Sequence, residues 1–101
     1  MDVFGALADP IRRNIVELLT HGELEAGAIA ARFDISRPAV SRHLRVLRES
    51  DLVCVRKNGT RRVYRLEGPA LAEVAGWAER QRVFWTEKLD ALERHLDTEG
   101  T

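Results

Sequence analysis

The hydrophobic pattern of this 101-residue chain changes period once and then changes back. Up to about residue 50, apolar residues recur at steps of three and four, which is typical of amphipathic helices. From Leu52, the short runs LVCVRK and RRVYRL flank NGT, and Asn-Gly is a strong hairpin signal because it accepts positive φ easily. After Gly68-Pro69 the helical period returns. The sequence therefore predicts a mainly α fold with a small β-hairpin over residues 52–66.

Capping signals predict helices on the segments before the hairpin. Asp9-Pro10 combines an N-cap aspartate with a proline at the first helical position, and Gly22 supplies the stop. A second short helix is predicted over residues 25–32, followed by a tight connection. The third helix begins after a serine cap and spans about residues 36–50. Two helices joined by a tight turn and followed by a hairpin predict a winged helix-turn-helix.

The third helix has an apolar face and a cationic face. At about 100° per residue, Val40, Leu44 and Leu47 form one stripe that is expected to be buried. The opposite face is small, hydroxylated or basic. Such a face fits the DNA major groove, where arginine pairs with guanine and serine bonds base edges or phosphate. The alternative is an ordinary solvated helix that is rich in arginine. The predicted DNA contacts of this helix are Ser36, Arg37, Pro38, Ser41, Arg42 and Arg45.

The net charge of zero conceals a strongly basic middle of the chain. Residues 32–65 hold ten lysine or arginine residues and three acids, a charge of +7, and the remainder carries −7. A basic patch of this size is the electrostatic footprint of a protein that binds the phosphate backbone of nucleic acid. The hairpin is then predicted to be a wing that contacts DNA through Lys57, Arg61 and Arg62. Charges that only keep the protein in solution would look the same.

The C-terminal segment, residues 69–97, is predicted to be helical and to form a dimer. From Trp85 to Leu96, large apolar residues recur at steps of four, three and four, a short heptad-like pattern. Gly76 leaves open whether this segment is one helix or two. An exposed seam of this kind tends to associate, and its aromatic residues anchor interfaces more often than they line ligand pockets. The predicted dimer interface consists of Trp77, Trp85, Leu89, Leu92 and Leu96.

No catalytic or metal-binding constellation stands out in the sequence. Ser41 and His43 lie two residues apart on a helix and point about 200° away from each other, which argues against a nucleophile–base pair. One cysteine and three scattered histidines do not supply a closed transition-metal site within one chain. A site between subunits around His95 stays open. We therefore predict a protein that is not an enzyme and has no catalytic residue, no metal and no cofactor.

Two residues have both a structural and a functional interpretation. His43 lies at the edge of the buried stripe, so it is interpreted as a structural residue rather than as a donor to DNA. Cys54 is interpreted as a small apolar strand residue. The alternative for Cys54 is a thiol sensor that is activated by the nearby Arg56.

Composition also bears on the compartment. The start, MDVFGALADP, has no basic region followed by a long apolar run, so no signal peptide is expected. Nothing approaches the roughly 18 apolar residues of a membrane helix. The single cysteine excludes an internal disulfide and fits a reducing compartment. We expect a cytoplasmic protein with no membrane partner.

Residues 4–66 resemble the winged helix-turn-helix of the ArsR family of bacterial transcription regulators. The resemblance lies in FGALADPIRRNIVELL, SRPAVSRHLRVLRESDLV and RKNGTRRVYRL, and the tail WAERQRVFWTEKLDALERHL resembles a subgroup with a Trp-rich C-terminal helix. It implies a homodimer, usually a repressor, that releases its operator in response to a signal. The family often has glycine where this chain has Asp51, so a shifted or slightly strained helix end is expected. The Cys-x-Cys or Asp/His clusters of metal-sensing members do not occur in the sequence.

The sequence thus predicts one winged helix-turn-helix domain, residues 1–101, that dimerises through its terminal helices. Residues 4–66 form the DNA-binding core and residues 69–97 the dimerisation segment. The predicted function is a homodimeric, sequence-specific repressor that binds an inverted-repeat operator in double-stranded DNA, with an effector that the sequence does not identify. The alternative is a winged-helix protein-interaction module that binds nucleic acid only loosely.

Overall fold

In the described part of the chain, four short helices and three short strands come before one long helix. The structure, a computed structural model, describes residues 1–99, so the last two positions of the predicted domain lie outside the described residues. The chain divides into two compact units, the first ending at Leu71 and the second beginning at Ala72. The elements in chain order are α1 Val3–Leu7, α2 Pro10–Leu19, β1 Leu24–Glu25, α3 Ala26–Ala30, α4 Arg37–Glu49, β2 Val53–Asn58, β3 Arg61–Leu66 and α5 Gly68–Glu99.

The helices α2 and α4 begin where their caps predict. The Asp9 carboxylate accepts hydrogen bonds from the amides of Ile11 at 2.8 Å and Arg12 at 3.1 Å. Burial opposes ionisation of Asp9, but these two amide hydrogen bonds outweigh it and lower the pKa of the carboxyl group. The Ser36 hydroxyl accepts from the Ala39 amide at 3.2 Å and caps α4. Both predicted helix starts are confirmed.

The sheet has one strand more than the predicted hairpin. The strands β2 and β3 pair in antiparallel register as expected, and β1 pairs with the other edge of β3, giving the order β1-β3-β2. Glu25, predicted to lie in the second helix, instead pairs with Val63, and α3 starts one residue later. A two-residue strand carries no periodic signal, and its pairing with a distant strand cannot be read locally. The first helix, α1, was not predicted either.

The core lies where α2, α3, α4 and the start of β2 meet. Ile15, Ile29, Leu47 and Leu52 are completely buried. The predicted apolar stripe of α4, which includes Leu47, is buried along its whole length. Because this stripe faces inward, the opposite side of α4 is left on the surface.

The end of α4 is a Schellman motif built around an aspartate. The Asp51 amide donates to the Arg48 carbonyl at 3.1 Å and the Leu52 amide to the Leu47 carbonyl at 3.0 Å. Asp51 has φ of 62°, which is left-handed. Leu47 and Leu52 are both fully buried, which provides the hydrophobic contact typical of this motif. α4 therefore ends with the left-handed backbone geometry that the family's glycine would adopt at this position. Asp51 adopts the same geometry, and its backbone is strained.

The segment after the sheet is a single helix. α5 runs without a break from Gly68 to Glu99, so Gly76 does not divide it. No helix among the described residues is both long enough and apolar enough to cross a membrane.

Candidate nucleic-acid interface

The outer face of α4 presents cations that no acid neutralises. Arg37, Ser41, Arg42 and Arg45 are exposed, on the side opposite the buried stripe. Within residues 1–99, none of these arginines forms an ion pair. Their guanidinium donors are therefore available to an external acceptor.

The first turn of α4 offers side chains rather than backbone amides. The Ser36 hydroxyl is occupied as an acceptor by its cap, although it keeps its own O–H donor. Pro38 is exposed and has no N–H, and the Ala39 amide is already bound to Ser36. Few free amides remain here, so the arginines carry most of the capacity to bind an anion.

His43 is held from behind by an arginine of α2. The Arg12 Nη1 lies 3.3 Å from His43 Nδ1, and since a guanidinium only donates, Nδ1 is the acceptor. The Arg12 side chain also donates to the carbonyl oxygen of Ala6 at 2.6 Å and to that of Gly5 at 3.3 Å. Arg12 therefore ties α1, α2 and α4 together. These contacts support the structural interpretation of His43, and sequence reasoning missed the role of Arg12.

The wing cations differ from those of α4 in being partly paired. Lys57, Arg61 and Arg62 are exposed, and Lys57 lies opposite Arg62 in the β2–β3 register. Arg61 Nη1 lies 3.1 Å from Glu25 Oε1, and Arg56 forms a short ion pair with Glu23. Lys57 and Arg62 form no ion pair in the part of the chain that the structure describes.

The wing and α4 converge at Arg62. On one side, Arg62 lines a cleft together with Arg37 and Thr60. On the other side, it lines a cleft together with Arg45 of α4 and Tyr64 of β3, and Ser41 and Arg48 border the same space. Sequence reasoning did not include Tyr64 or Arg48 in the site. Only the three-dimensional structure could reveal them, because residues of α4 and of β3 line the same cleft.

Cys54 has a different neighbour from the one expected. Arg65, which lies directly opposite in the β2–β3 register, donates from Nε to Cys54 Sγ at 2.9 Å. Arg56, the expected neighbour, is paired with Glu23 instead. Among the described residues, no group of three or more His, Cys, Asp or Glu side chains is arranged to hold a metal ion.

The second unit carries a row of exposed large apolar side chains. Trp85 and Phe84 pack edge to face with their ring centroids 5.5 Å apart. The five residues predicted for the dimer interface are all about half exposed or more: Trp77 47%, Trp85 58%, Leu89 62%, Leu92 53% and Leu96 57%. A row of this kind is unusual on the surface of a small monomer.

Known proteins resemble this chain over most of its length. A family model described as a helix-turn-helix domain matches residues 7–56. The chain is 48% identical over 95 residues to the HTH-type transcriptional regulator Rv2034 of Mycobacterium tuberculosis. This alignment covers 94% of this chain and 86% of that protein. The chain is 37% identical over 76 residues to the transcriptional repressor SdpR of Bacillus subtilis, covering 75% and 84%. A crystal structure of an ArsR family transcriptional regulator superposes with a TM-score of 0.77 at 30% identity, covering 83% of this chain and 92% of that one.

Proposed function

This chain belongs to the ArsR family of transcriptional regulators, and on that premise we propose that it is a homodimeric repressor that reads an inverted-repeat operator. It is a regulator with a helix-turn-helix domain and not an enzyme. The observation that carries the proposal is the outer face of α4, where Arg37, Arg42 and Arg45 are exposed and have no acidic partner within the described residues. A helix face that carried buried carboxylates, or on which every arginine was already paired with an acid, would not suit a DNA groove.

In the proposed complex α4 enters the major groove. Arg42 and Arg45 pair with guanine O6 and N7, the commonest specific contact of arginine. Ser41 bonds a base edge, and Ser36, Arg37 and Pro38 lie against the backbone at the start of the helix. The wing contributes sequence-independent phosphate contacts through Lys57, Arg61 and Arg62.

The proposed dimer forms through α5. Residues 4–66 would read DNA and residues 69–97 would pair two copies, both within one domain. The exposed row from Trp77 to Leu96 would be covered by its own copy about a two-fold axis, which buries the same patch on both chains. Two recognition helices one DNA turn apart, roughly 34–36 Å, require an operator with inverted-repeat symmetry. Joining two weakly binding DNA-binding units in one dimer raises the overall affinity, because the second unit binds at a high effective concentration.

Selection of duplexes from a random DNA pool tests the reading function. We expect an imperfect inverted repeat with half-sites centred one helical turn apart. The selected duplex should bind at least about 10³ times more tightly than random DNA at physiological salt. Equal affinity for the selected duplex and for random DNA would favour the alternative function, a protein-interaction module, over a sequence-specific repressor.

Sedimentation of wild-type and variant protein tests the dimer. The wild type should sediment as a dimer at micromolar concentration, and a variant with Leu89→Glu and Leu92→Glu should sediment as a monomer that binds the selected duplex at least a hundredfold more weakly. Ala91→Glu is the control, because it adds a charge to the same helix off the apolar row. A wild-type monomer that binds the duplex tightly would overturn the paired half-site geometry.

A further inference from the structure

We propose, on the basis of the DNA-binding function above, that the cleft between α4 and β3 is a site for one phosphate group of the DNA backbone. Its new ligands are Tyr64 and Arg48, which act together with Arg62 of the wing. Ser41 and Arg45, the proposed base contacts, border the same cleft. The cleft has a volume of about 190 Å³, room for a few water molecules of about 30 Å³ each or for one small oxyanion.

This cleft is lined by side chains that donate hydrogen bonds and by a small apolar surface. Arg45, Arg48 and Arg62 are all exposed at its rim and form no ion pair with any described residue. Ala26 and Leu44 supply the apolar part, and no aspartate or glutamate borders the space. Three guanidinium groups without a carboxylate between them repel one another, so an anion among them relieves that repulsion.

Tyr64 contributes a hydroxyl group that no other described residue bonds. Its side chain is buried except for 6% of its surface, yet its hydroxyl makes no hydrogen bond to another described residue. No buried side-chain oxygen or nitrogen among these residues lacks a partner, so the Tyr64 hydroxyl must reach the solvent. The surface of Tyr64 borders this cleft. An oxyanion in the cleft would replace water as the hydrogen-bond partner of this hydroxyl.

The donor set selects phosphate over a base edge. Arginine only donates, and the tyrosine hydroxyl can donate one hydrogen bond as well. A base edge in the major groove mixes donors with acceptors, whereas a phosphate only accepts, and arginine matches phosphate with two parallel hydrogen bonds. Because the cleft lies beside Arg45 and Ser41, a phosphate held there would set the register of α4 in the groove.

Two substitutions and a matched control test the site by titration of the selected duplex against salt. Tyr64→Phe deletes one O–H and keeps the ring, and it should weaken binding about tenfold with an unchanged salt slope, since a hydrogen bond to a charged group is lost but no charge. Arg48→Gln should weaken binding to every sequence and reduce the slope by about 0.9. Arg32→Gln removes an equally exposed arginine of the basic segment that does not line the cleft, and it should have a smaller effect on both quantities.

Neutral methylphosphonate linkages, placed one at a time in the selected duplex, identify the phosphate. One position should weaken wild-type binding, and it should weaken the binding of Tyr64→Phe and of Arg48→Gln by less, because each variant has already lost part of its contact with that phosphate. Calorimetry with inorganic phosphate and no DNA tests whether the cleft binds free phosphate instead of a phosphate of the DNA backbone. Phosphate binding by wild type that Tyr64→Phe abolishes, with DNA binding equal in both proteins, would assign the cleft to a free anion and overturn the backbone assignment.

Two results separate the cleft from the wider function. If Tyr64→Phe and Arg48→Gln bind the duplex as the Arg32→Gln control does, while Arg42→Ala still loses sequence discrimination, the cleft site is wrong and the repressor stands. If wild type itself shows no preference for any selected duplex, the proposed function fails first. Thermal unfolding of Tyr64→Phe shows whether a loss of binding is only a loss of folded protein.

Discussion

The recognition helix and the wing carry the same kind of charge and hold it differently. On α4, the cations face outward without an acidic partner in the described chain, and the helix is anchored from behind by Arg12. On the wing, Arg61 and Arg56 are paired with Glu25 and Glu23, the acids at and next to β1. Exposed ion pairs of this kind contribute little to stability. They matter here because each glutamate neutralises part of the charge that its arginine would otherwise offer to a phosphate.

In the proposed complex, this difference would separate two tasks within one basic segment. Free arginines on α4 can form the rigid, bidentate contacts that discriminate bases, whereas paired arginines on the wing contribute a weaker, exchangeable attraction to any backbone. The two regions should therefore respond differently to mutation, and the following changes test that from the largest expected effect to the smallest.

Arg42→Ala should weaken binding of the selected duplex by roughly 1–3 kcal/mol and relax discrimination at one base position. Arg61→Ala should weaken selected and random DNA more equally and by less, because its positive charge is partly neutralised by Glu25. Fluorescence anisotropy on the selected duplex and on single-base variants measures both. A uniform loss for Arg42→Ala and a base-specific loss for Arg61→Ala would reverse the assignment of the two regions.

Arg12→Met should lower the free energy of unfolding by about 1–2 kcal/mol, because it removes hydrogen bonds from a charged donor to two carbonyls and to His43. In the folded protein it should also reduce the preference for the selected duplex while leaving the salt slope unchanged, since no phosphate contact is lost. Arg13→Met is the control, because Arg13 also caps carbonyls of α1 but does not reach α4. Denaturant unfolding and salt titration together give both readouts. Identical losses of DNA preference in the two variants would show that α4 does not need this anchor.

Glu25→Gln should strengthen binding to selected and random DNA alike, by about two- to fivefold, because it frees Arg61 for phosphate. The salt slope should become steeper by up to about 0.9. Placed on top of Arg61→Ala, the same substitution should have almost no effect, which distinguishes release of the arginine from a general change in charge. Glu49→Gln, an exposed acid of α4 without an ion pair among the described residues, is the matched control. An equal gain from Glu49→Gln would mean that pairing in the wing has no part in the effect.

Asp51→Gly should raise the free energy of unfolding by about 0.5 kcal/mol without altering DNA affinity. Asp51 joins the end of α4 to β2 with φ of 62°, and glycine relieves that strain by more than it adds in chain entropy. Differential scanning calorimetry should show a melting temperature higher by a few degrees. Asp34→Gly, at an exposed position without positive φ, should be neutral or destabilising. A large change in DNA binding would indicate that this junction also sets the angle between α4 and the wing.

Most of the fold follows from signals that act over a few residues. Caps at Asp9 and Ser36 begin α2 and α4, and the apolar stripe of α4 is buried as its period predicts. The Gly59-Thr60 turn joins β2 to β3, with Gly59 at φ of 68° and Asn58 as the last residue of β2. These features depend on backbone geometry and hydrogen bonds between near neighbours, so the residues themselves carry the information.

The predictions for individual DNA contacts and for the dimer interface remain proposals, but the structure sharpens them. It separates cations that are free from cations that are paired, and it adds Tyr64 and Arg48 to the candidate site. Neither distinction could come from the sequence, where Arg61 and Arg62 are adjacent and look equivalent.

The sequence by itself determined where α2 and α4 begin, which face of α4 is buried, where the hairpin turns and which segment is basic. The tertiary structure alone decided which polar side chains meet: Arg12 with His43, Arg61 with Glu25, and Arg65 rather than Arg56 with Cys54. The physical reason is separation along the chain. Periodicity and capping act over one or two helical turns, whereas the first two of these contacts join residues 31 and 36 positions apart. Their partners are chosen by how β1 docks on β3 and how α2 packs against α4.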